Sequence, residues 1–468
     1  MSKAFPITDA NRRWWIASGT GVSLALLLGD DIMVGVALPT IRDDLGLSQL
    51  TAQWVVNAYA LTLTIFVAAG GRLGDLVGHR RMFLIAIGIT VVGSLGAGLA
   101  ESGPWILAAR GVMGIGAAIL YPLGFAMTGI AFSNRERGMG IAVAATISGV
   151  LTSTAPFVGG LLTDVASWRW IFFLNVPMLI AIGLLITAAW REQPDFRSSR
   201  SSFDAPGLAV LIVFLVPLVV ALMQAPDWGW GSPAVLLLLA LSAFALAAFI
   251  WTERRVAEPL LELSQLKRPT VVGANLAIFS SQFSKIGVLV FGSLFLQDRL
   301  GLSPLAAGTA MLAAVAPWLL TNLLSGWMTD RFGPRLPTLI GVAALLGSLA
   351  WLAVAVTAES YVALVPGLIV WGLSLPLVFN PPLTAILNSV PASQRGEASG
   401  VATTGRQLGG ALAVAVLGAS FVANGSYAAV FWIATVVSVG IWLAAYALID
   451  RPGRATSAGR PIGAESSP

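Results

Sequence analysis

The chain has 468 residues, of which 57% are hydrophobic and only 10% are charged. Soluble domains carry about 25% charged residues, so this composition excludes a soluble globular protein and makes lipid the main solvent of the chain. The net charge of +5 is modest, and the absence of Cys together with a single His, His79, excludes disulfides and the common Cys and His-pair metal motifs.

Short charged clusters alternate with apolar runs of roughly 20 residues, the length that crosses a hydrocarbon core of about 30 Å. Backbone groups in lipid must bond within their own segment, so the runs are predicted as helices. Runs such as 236–250 do not alternate in polarity, which excludes a β-barrel. The predicted spans, numbered 1 to 14, are 14–38, 51–73, 82–100, 104–127, 138–162, 168–189, 205–224, 232–251, 270–296, 304–328, 336–357, 361–388, 397–422 and 427–449.

The distribution of Lys and Arg predicts the orientation of the chain. If both termini are cytoplasmic, the outside loops hold only Arg42, Arg169 and Arg299, whereas the inside segments hold most of the basic residues. The first apolar run contains Asp30 and Asp31 and no small-residue cleavage site, so it is predicted to be an uncleaved span. We therefore expect a multi-pass protein of a bacterial cytoplasmic membrane with both termini inside.

One internal repeat divides the chain. The loop after span 2 reads GRLGDLVGHRR at 71–81, and the loop after span 10 reads GWMTDRFGPR at 326–335. Both loops join the second and third helices of a six-helix unit, an arrangement typical of secondary transporters built from parallel repeats. The predicted organisation is a bundle over 1–190, linkers with two inserted helices over 191–269, a second bundle over 270–450, and a disordered tail over 451–468.

These loops resemble the glycine-aspartate-glycine-arginine motif of the major facilitator superfamily. Three further stretches resemble the superfamily's drug:proton antiporters with fourteen spans: DDIMVGVALP at 30–39, WRWIFFLNVP at 168–177 and GRQLGG at 405–410. The resemblance covers nearly the whole chain. It implies an all-α major facilitator fold of two six-helix bundles plus two inserted helices, and export of small molecules in exchange for protons.

The resemblance also assigns an antiporter motif in span 5, formed by Pro156, Gly159 and Gly160. Proline and glycine there can bend the helix and allow close packing near a gate. The sequence departs from the family pattern at Leu151 and Ala155, where glycine is usual, and at Gly35, where asparagine is usual.

Carboxylates inside the first span are the main candidates for proton coupling. A charge at bilayer depth costs about 2.5–3.5 kcal/mol on insertion scales, a cost that usually reflects function or pairing. Asp30 aligns with the family's aspartate and is favoured over Asp31 as the proton carrier. Arg110 lies at a similar depth, so an ion pair with Asp30 is feasible. The alternative is that these residues form only a fixed structural strut.

Other polar residues at membrane depth are candidates for a substrate cavity. Lys285 lies at least roughly 15 Å from either end of its span, too deep for its ammonium to reach the interface. It is expected to pair with an aspartate of span 1 or to bind an anionic substrate group, with Gln282 and Asn275 adding polar contacts. Arg406 is assigned to the cavity near the inner gate, with helix packing as the alternative.

The repeated loop motif is expected to act as a gate latch, in which Asp75 meets a helix N-terminus and a neighbouring Arg. The alternative is a tight turn with surface salt bridges. The residues assigned to the gate are Gly71, Asp75, Gly78, Arg80, Arg81, Asp330, Arg331, Gly333 and Arg335.

No glycine-rich phosphate-binding loop and no catalytic constellation occurs, so we expect neither an ATP-driven pump nor an enzyme. The predicted function is proton-coupled export of lipophilic small molecules by alternating access, with no metal and no cofactor besides protons. The expected partners are the substrate and the lipid bilayer, without nucleic acid, and a monomer is expected. A proton-coupled metabolite importer, a lipid flippase and a non-transporting receptor are the alternatives.

Overall fold

The computed structural model of this chain describes residues 7–132, 136–191, 204–256, 259–260, 262–390 and 395–449. Within those ranges, fourteen segments are long and apolar enough to cross a membrane, as the hydropathy predicts. The helices are α1 (Arg12–Asp44), α2 (Gln49–Val77), α3 (His79–Gly98), α4 (Gly103–Ala131), α5 (Arg137–Val165), α6 (Arg169–Ala189), α7 (Ala205–Trp228), α8 (Pro233–Glu253), α9 (Pro269–Ile286), α10 (Gly292–Asp298), α11 (Pro304–Ala310), α12 (Leu312–Phe332), α13 (Arg335–Ala355), α14 (Tyr361–Ser389), α15 (Arg395–Asn424) and α16 (Tyr427–Leu448).

Two predicted spans are less regular than their hydropathy suggests. Span 9 consists of α9 and α10 joined by a π-helical turn at Gly287–Phe291, and span 10 consists of α11 and α12. Single π-helical turns inside membrane-buried helices are rare and are frequently found at functional sites. The turn in span 9 begins two residues after Lys285.

The fold contains the same six-helix unit twice. In the amino-terminal bundle α1 packs against α4, α5 and α6, while α4 packs against α2 and α3. In the carboxyl-terminal bundle α9 packs against α14, α15 and α16, and α14 packs against α12 and α13. The helix pairs correspond one to one, so the structure confirms two six-helix bundles with two additional helices between them.

The serine cap and the terminal glycine of the second span also occur in both bundles. Ser48 and Ser303 precede the second span of each bundle with the same extended backbone angles, φ −63° and ψ 159°, and each accepts a hydrogen bond from the backbone N–H three residues later. Gly78 and Gly333 end the second span of each bundle at φ 99° and φ 75°. These positive angles favour glycine, which explains why both copies of the loop motif contain it.

The inserted helices α7 and α8 pack against each other, and α7 covers the seam between the bundles where α2 meets α15. Leu61 and Ile65 of α2 join Leu215 and Val219 of α7 in one buried apolar cluster. The insert therefore adds apolar contacts to one of the two seams. The opposite seam is formed by α5 against α11 and α12.

The bundles are closed against each other at one side of the membrane. We call the side where α1 begins the amino-terminal face and the opposite side the far face. At the far face the Gln297 side chain donates to the Val36 carbonyl at 2.7 Å, and the Ser303 hydroxyl lies 3.2 Å from an Asp164 carboxylate oxygen. An ion pair of 3.7 Å joins Arg42 to Asp298 in the same region.

Candidate functional site

A buried ion pair lies at the centre of the amino-terminal bundle. Asp30 of α1 is 1% exposed and Arg110 of α4 is fully buried, and the Arg110 guanidinium donates a hydrogen bond to the Asp30 carboxylate. The Arg110 Nε also donates to the Val55 carbonyl of α2 at 2.9 Å. Removing either partner would leave an uncompensated buried charge, which typically costs 3–5 kcal/mol. The ion pair therefore fixes α1, α2 and α4 to one another.

Uncharged side chains complete this polar centre. Asn175 of α6 donates to the second Asp30 oxygen at 3.2 Å and to the Ser94 hydroxyl of α3 at 3.4 Å. The Tyr59 ring lies under the guanidinium, with its centroid 4.4 Å from the guanidinium carbon of Arg110. Both oxygens of the Asp30 carboxylate thus have donors within the amino-terminal bundle.

The neighbouring Asp31 has a different environment. Its side chain is 12% exposed, and one carboxylate oxygen lies 3.5 Å from the Arg110 guanidinium in an ion pair. That same oxygen is buried and accepts no hydrogen bond from any described residue. Asp31 also interacts electrostatically with Lys285 of the other bundle. Asp31, not Asp30, is therefore the carboxylate directed towards the interface between the bundles.

Lys285 lies in α9 two residues before the π-helical turn and is only 3% exposed. Among the described residues it has no hydrogen bond and no carboxylate oxygen within 4.0 Å, although it interacts electrostatically with Asp31 and Arg406. An ammonium carries three donors and is costly to bury without acceptors. Lys285 is thus a largely buried cation whose ammonium has no protein acceptor among the described residues.

Arg406 of α15 connects the two bundles near mid-membrane. It is 9% exposed, and its guanidinium donates to the Tyr121 hydroxyl of α4 at 2.8 Å while lying 4.8 Å from the centroid of the Phe379 ring. Its Nε is buried and has no hydrogen-bond partner among the described residues. Helix packing alone therefore does not account for Arg406, because one donor of its guanidinium has no hydrogen-bond partner among the described residues.

Two other cavity candidates lie on the face of α9 that contacts α15. Asn275 donates to the Val271 carbonyl at 2.8 Å, and its side-chain oxygen is close to Gly405. Gln282 is buried against Gly410. Their roles as substrate ligands stay predictions.

The gate motif is only partly described. Gly71 and Asp75 belong to α2, but their side chains lie outside the described part of the chain, as do the predicted tail at 451–468 and the linker at 192–203. In the second copy, Arg335 donates to the Tyr446 carbonyl of its own bundle at 2.6 Å, and Asp330 is exposed. Arg331 lies 5.9 Å from the Trp327 ring centroid, and Arg81 is exposed. The latch stays a prediction.

The span 5 motif packs against the other bundle at the far face. A Cβ atom added to Gly160 would lie 2.3 Å from the Pro304 carbonyl oxygen, and one added to Gly308 would lie 2.1 Å from the Pro156 carbonyl oxygen. A Cβ on Gly159 would lie 2.7 Å from the Met33 Cα within its own bundle. The small residues of this motif therefore allow backbone-to-backbone contact where the far face is closed.

Sequence reasoning assigned no role to several residues that the structure places in these networks, among them Asn175, Asp44 and Tyr121. Asn175 lies inside the conspicuous stretch at 168–177, and an amide in an apolar span was the signal that could have identified it. Asp44 accepts from Trp168 at 3.0 Å and from Arg169 at 2.7 Å, so the start of α6 is tied to the end of α1. Tyr121 had no distinguishing sequence signal. No group of His, Asp and Glu side chains within the described residues could hold a metal ion.

Comparison with known proteins agrees with this architecture. The family model described as Major Facilitator Superfamily matches residues 20–414. The D-xylose-proton symporter superposes with a TM-score of 0.68 at 16% identity, covering 94% of this chain and 98% of that structure. The nucleoside transporter NupG superposes with a TM-score of 0.67 at 14% identity, covering 94% and 100%. At these identities the solved structures show the shared fold alone.

Curated relatives are more similar in sequence. The puromycin resistance protein pur8 of Streptomyces alboniger is 34% identical over 420 residues, which cover 87% of this chain and 81% of that protein. The multidrug resistance protein Stp of Mycobacterium tuberculosis is 33% identical over 400 residues, covering 85% and 74%. The cephamycin export protein CmcT of Amycolatopsis lactamdurans is 33% identical over 403 residues, covering 84% and 82%.

Proposed function

This chain belongs to the Major Facilitator Superfamily, and on that basis we propose that it exports lipophilic small molecules in exchange for protons. The named resistance and export activities of its relatives support the direction of transport. The observation that carries the coupling is the pair of adjacent carboxylates in α1, one enclosed by donors and the other directed towards the second bundle.

Transport would occur by alternating access. The structure has a closed far face, held by the contacts of α5 with α11 and of α1 with α10. Rocking of the two bundles would open that face and close the amino-terminal face around the same central residues. We place the protein in a bacterial cytoplasmic membrane with the amino-terminal face towards the cytoplasm, since the basic loops are concentrated there.

The energy for uphill export comes from the proton. One proton moving inwards gains about 2.3 kcal/mol per 100 mV of membrane potential. At about 1.4 kcal/mol per factor of ten, this supports a roughly 40-fold concentration ratio for an uncharged cargo. A coupling of one proton per cycle is therefore sufficient for appreciable export.

Inverted membrane vesicles provide the test, because an exporter accumulates its cargo inside them. We expect a lipophilic xanthene dye to accumulate when the vesicles are energised and to leave when a protonophore collapses both the pH gradient and the membrane potential. Asp31→Asn is expected to abolish the dependence on the gradient. Asp227→Asn removes an exposed carboxylate from α7, away from both seam contacts and the central residues, and should leave transport unchanged. Accumulation that is equal with and without the gradient would contradict proton coupling, and the absence of accumulation would contradict export.

A further inference from the structure

The contact between α1 and the π-helical turn determines where Asp31 and Lys285 lie. A Cβ on Gly35 would be 3.2 Å from the Val290 side chain, so the two spans touch there. Asp31 is four residues before Gly35, and Lys285 is five residues before Val290. Both spans run from the amino-terminal face towards the far face. At 1.5 Å per residue, both charges therefore lie roughly 6–8 Å from the contact, on the side of the amino-terminal face.

The charges at this level are not balanced. Arg110 binds Asp30 and also lies 3.5 Å from Asp31, and the formal charges of Asp30, Asp31, Arg110, Lys285 and Arg406 together sum to +1. Among the described residues the Lys285 ammonium has no acceptor, the buried Arg406 Nε has no hydrogen-bond partner, and the buried Asp31 oxygen makes no hydrogen bond, although it lies 3.5 Å from the Arg110 guanidinium. Buried polar groups are normally satisfied, so these groups retain bonding capacity for a ligand.

One aromatic ring lies beside Arg406, and another is bonded to the helix that carries Lys285. The Trp371 indole is fully buried and donates to the hydroxyl of Ser284, the neighbour of Lys285, at 3.3 Å. The Phe379 ring lies 4.8 Å from the guanidinium carbon of Arg406. A cargo that extends towards Arg406 would therefore also contact apolar surface, as lipophilic cargo requires.

We propose that the cargo of this transporter is a lipophilic zwitterion, whose anionic group binds Lys285 and whose cationic group binds Asp31. This proposal rests on proton-coupled export and specifies the chemical class of its substrate. A purely cationic cargo would meet Lys285 and Arg406 as like charges. A purely anionic cargo would be favoured by a proton on Asp31, because protonation removes a nearby negative charge. Cargo and proton would then travel together and not in exchange.

A zwitterion avoids both difficulties. Its cation and the proton compete for the Asp31 carboxylate, so cargo binding releases the proton as one hydronium ion into water at the amino-terminal face. The anionic group of the zwitterion binds the Lys285 ammonium in the same step. The other groups that act on Asp31 are Arg110 of α4, Asp30 of α1 and Tyr59 of α2, and all three remain within the amino-terminal bundle.

Two xanthene dyes that differ by one charge provide the test. Rhodamine B has a carboxylate and a delocalised cation, and its ethyl ester retains only the cation. Binding to the purified full-length protein is measured by fluorescence polarisation, and transport is measured in energised inverted vesicles. We expect the native protein to bind rhodamine B at least tenfold more tightly than the ester, the usual effect of one charge-assisted bond in a buried site.

Substitutions of Lys285 test whether this residue binds the anionic group of the cargo. Lys285→Met keeps the approximate shape of the side chain without its charge, and it should weaken rhodamine B binding at least tenfold while the ester binds equally well or better. Lys285→Arg keeps the charge and should retain a preference for rhodamine B. A protein that fails to fold would lose both dyes, so an unchanged affinity for the ester reports an intact site.

The outcomes separate this proposal from the function on which it rests. Suppose that the ester is exported in response to the gradient, that rhodamine B is not preferred, and that Lys285→Met affects both dyes equally. This result would overturn the zwitterionic cargo and leave proton-coupled export standing. Failure of the native protein to move either dye would contradict both. Export of rhodamine B that is lost in Lys285→Met, while ester binding remains, supports the proposal.

Discussion

Adding one methyl group to the closed seam should open the far face. In Gly308→Ala the new Cβ would lie 2.1 Å from the Pro156 carbonyl oxygen, on the backbone of the opposite bundle. Carbon-to-oxygen contacts require about 3.3 Å, so α11 and α5 must separate by about 1.2 Å. Overpacking of this kind costs typically 1–3 kcal/mol. Because the clash exists only while the seam is closed, the ratio of closed to open molecules should fall roughly 5- to 150-fold.

Cysteine crosslinking can measure this shift, since the native chain contains no Cys. The Ser303 hydroxyl and an Asp164 carboxylate oxygen lie 3.2 Å apart across the same seam, so cysteines introduced at both positions report closure of the far face. The crosslinking rate follows the closed fraction of molecules, so we expect it to be lower in Gly308→Ala membranes than in native membranes. The control is Gly149→Ala in α5, where an added Cβ has no atom within 4 Å. Equal crosslinking rates in the two variants would refute the argument that glycine is needed for closure.

Two further substitutions test the central contacts. Arg110→Lys keeps the charge but lacks the planar fork with which arginine reaches both Asp30 and the Val55 carbonyl, and each lost charged hydrogen bond costs about 1.5–3 kcal/mol. We therefore expect a lower denaturation midpoint in detergent, and an unchanged midpoint would contradict this. Tyr121→Phe removes the hydroxyl that accepts a hydrogen bond from the Arg406 guanidinium across the two bundles. Cysteines introduced at the amino-terminal face should then be labelled faster by a thiol reagent. An unaltered labelling rate would show that this bond does not hold the bundles together.

The gross architecture was predictable from the sequence because membrane insertion imposes a local rule. Each span must satisfy its own backbone, so length and hydropathy identify it without knowledge of its neighbours. The fourteen spans and the repeated loop follow from this rule and from glycines such as Gly78 and Gly333, whose positive φ angles are a local requirement. Asp30, Arg110 and Lys285 were identifiable as candidates, because a charge at bilayer depth is costly wherever it is placed.

Only the tertiary structure decided how those charges are used. Asp30 and Asp31 are adjacent and identical in type, yet Asp30 is enclosed by Arg110 and Asn175, whereas Asp31 is directed towards Lys285 of the other bundle. The sequence favours Asp30 as the proton carrier, and that assignment stays a prediction, because depth and family alignment do not reveal which partners a side chain contacts. The closed far face likewise depends on contacts between distant segments such as Gly308 and Pro156. Hydropathy determines which residues enter the membrane, but partner choice and conformation depend on packing between helices, which no single span encodes.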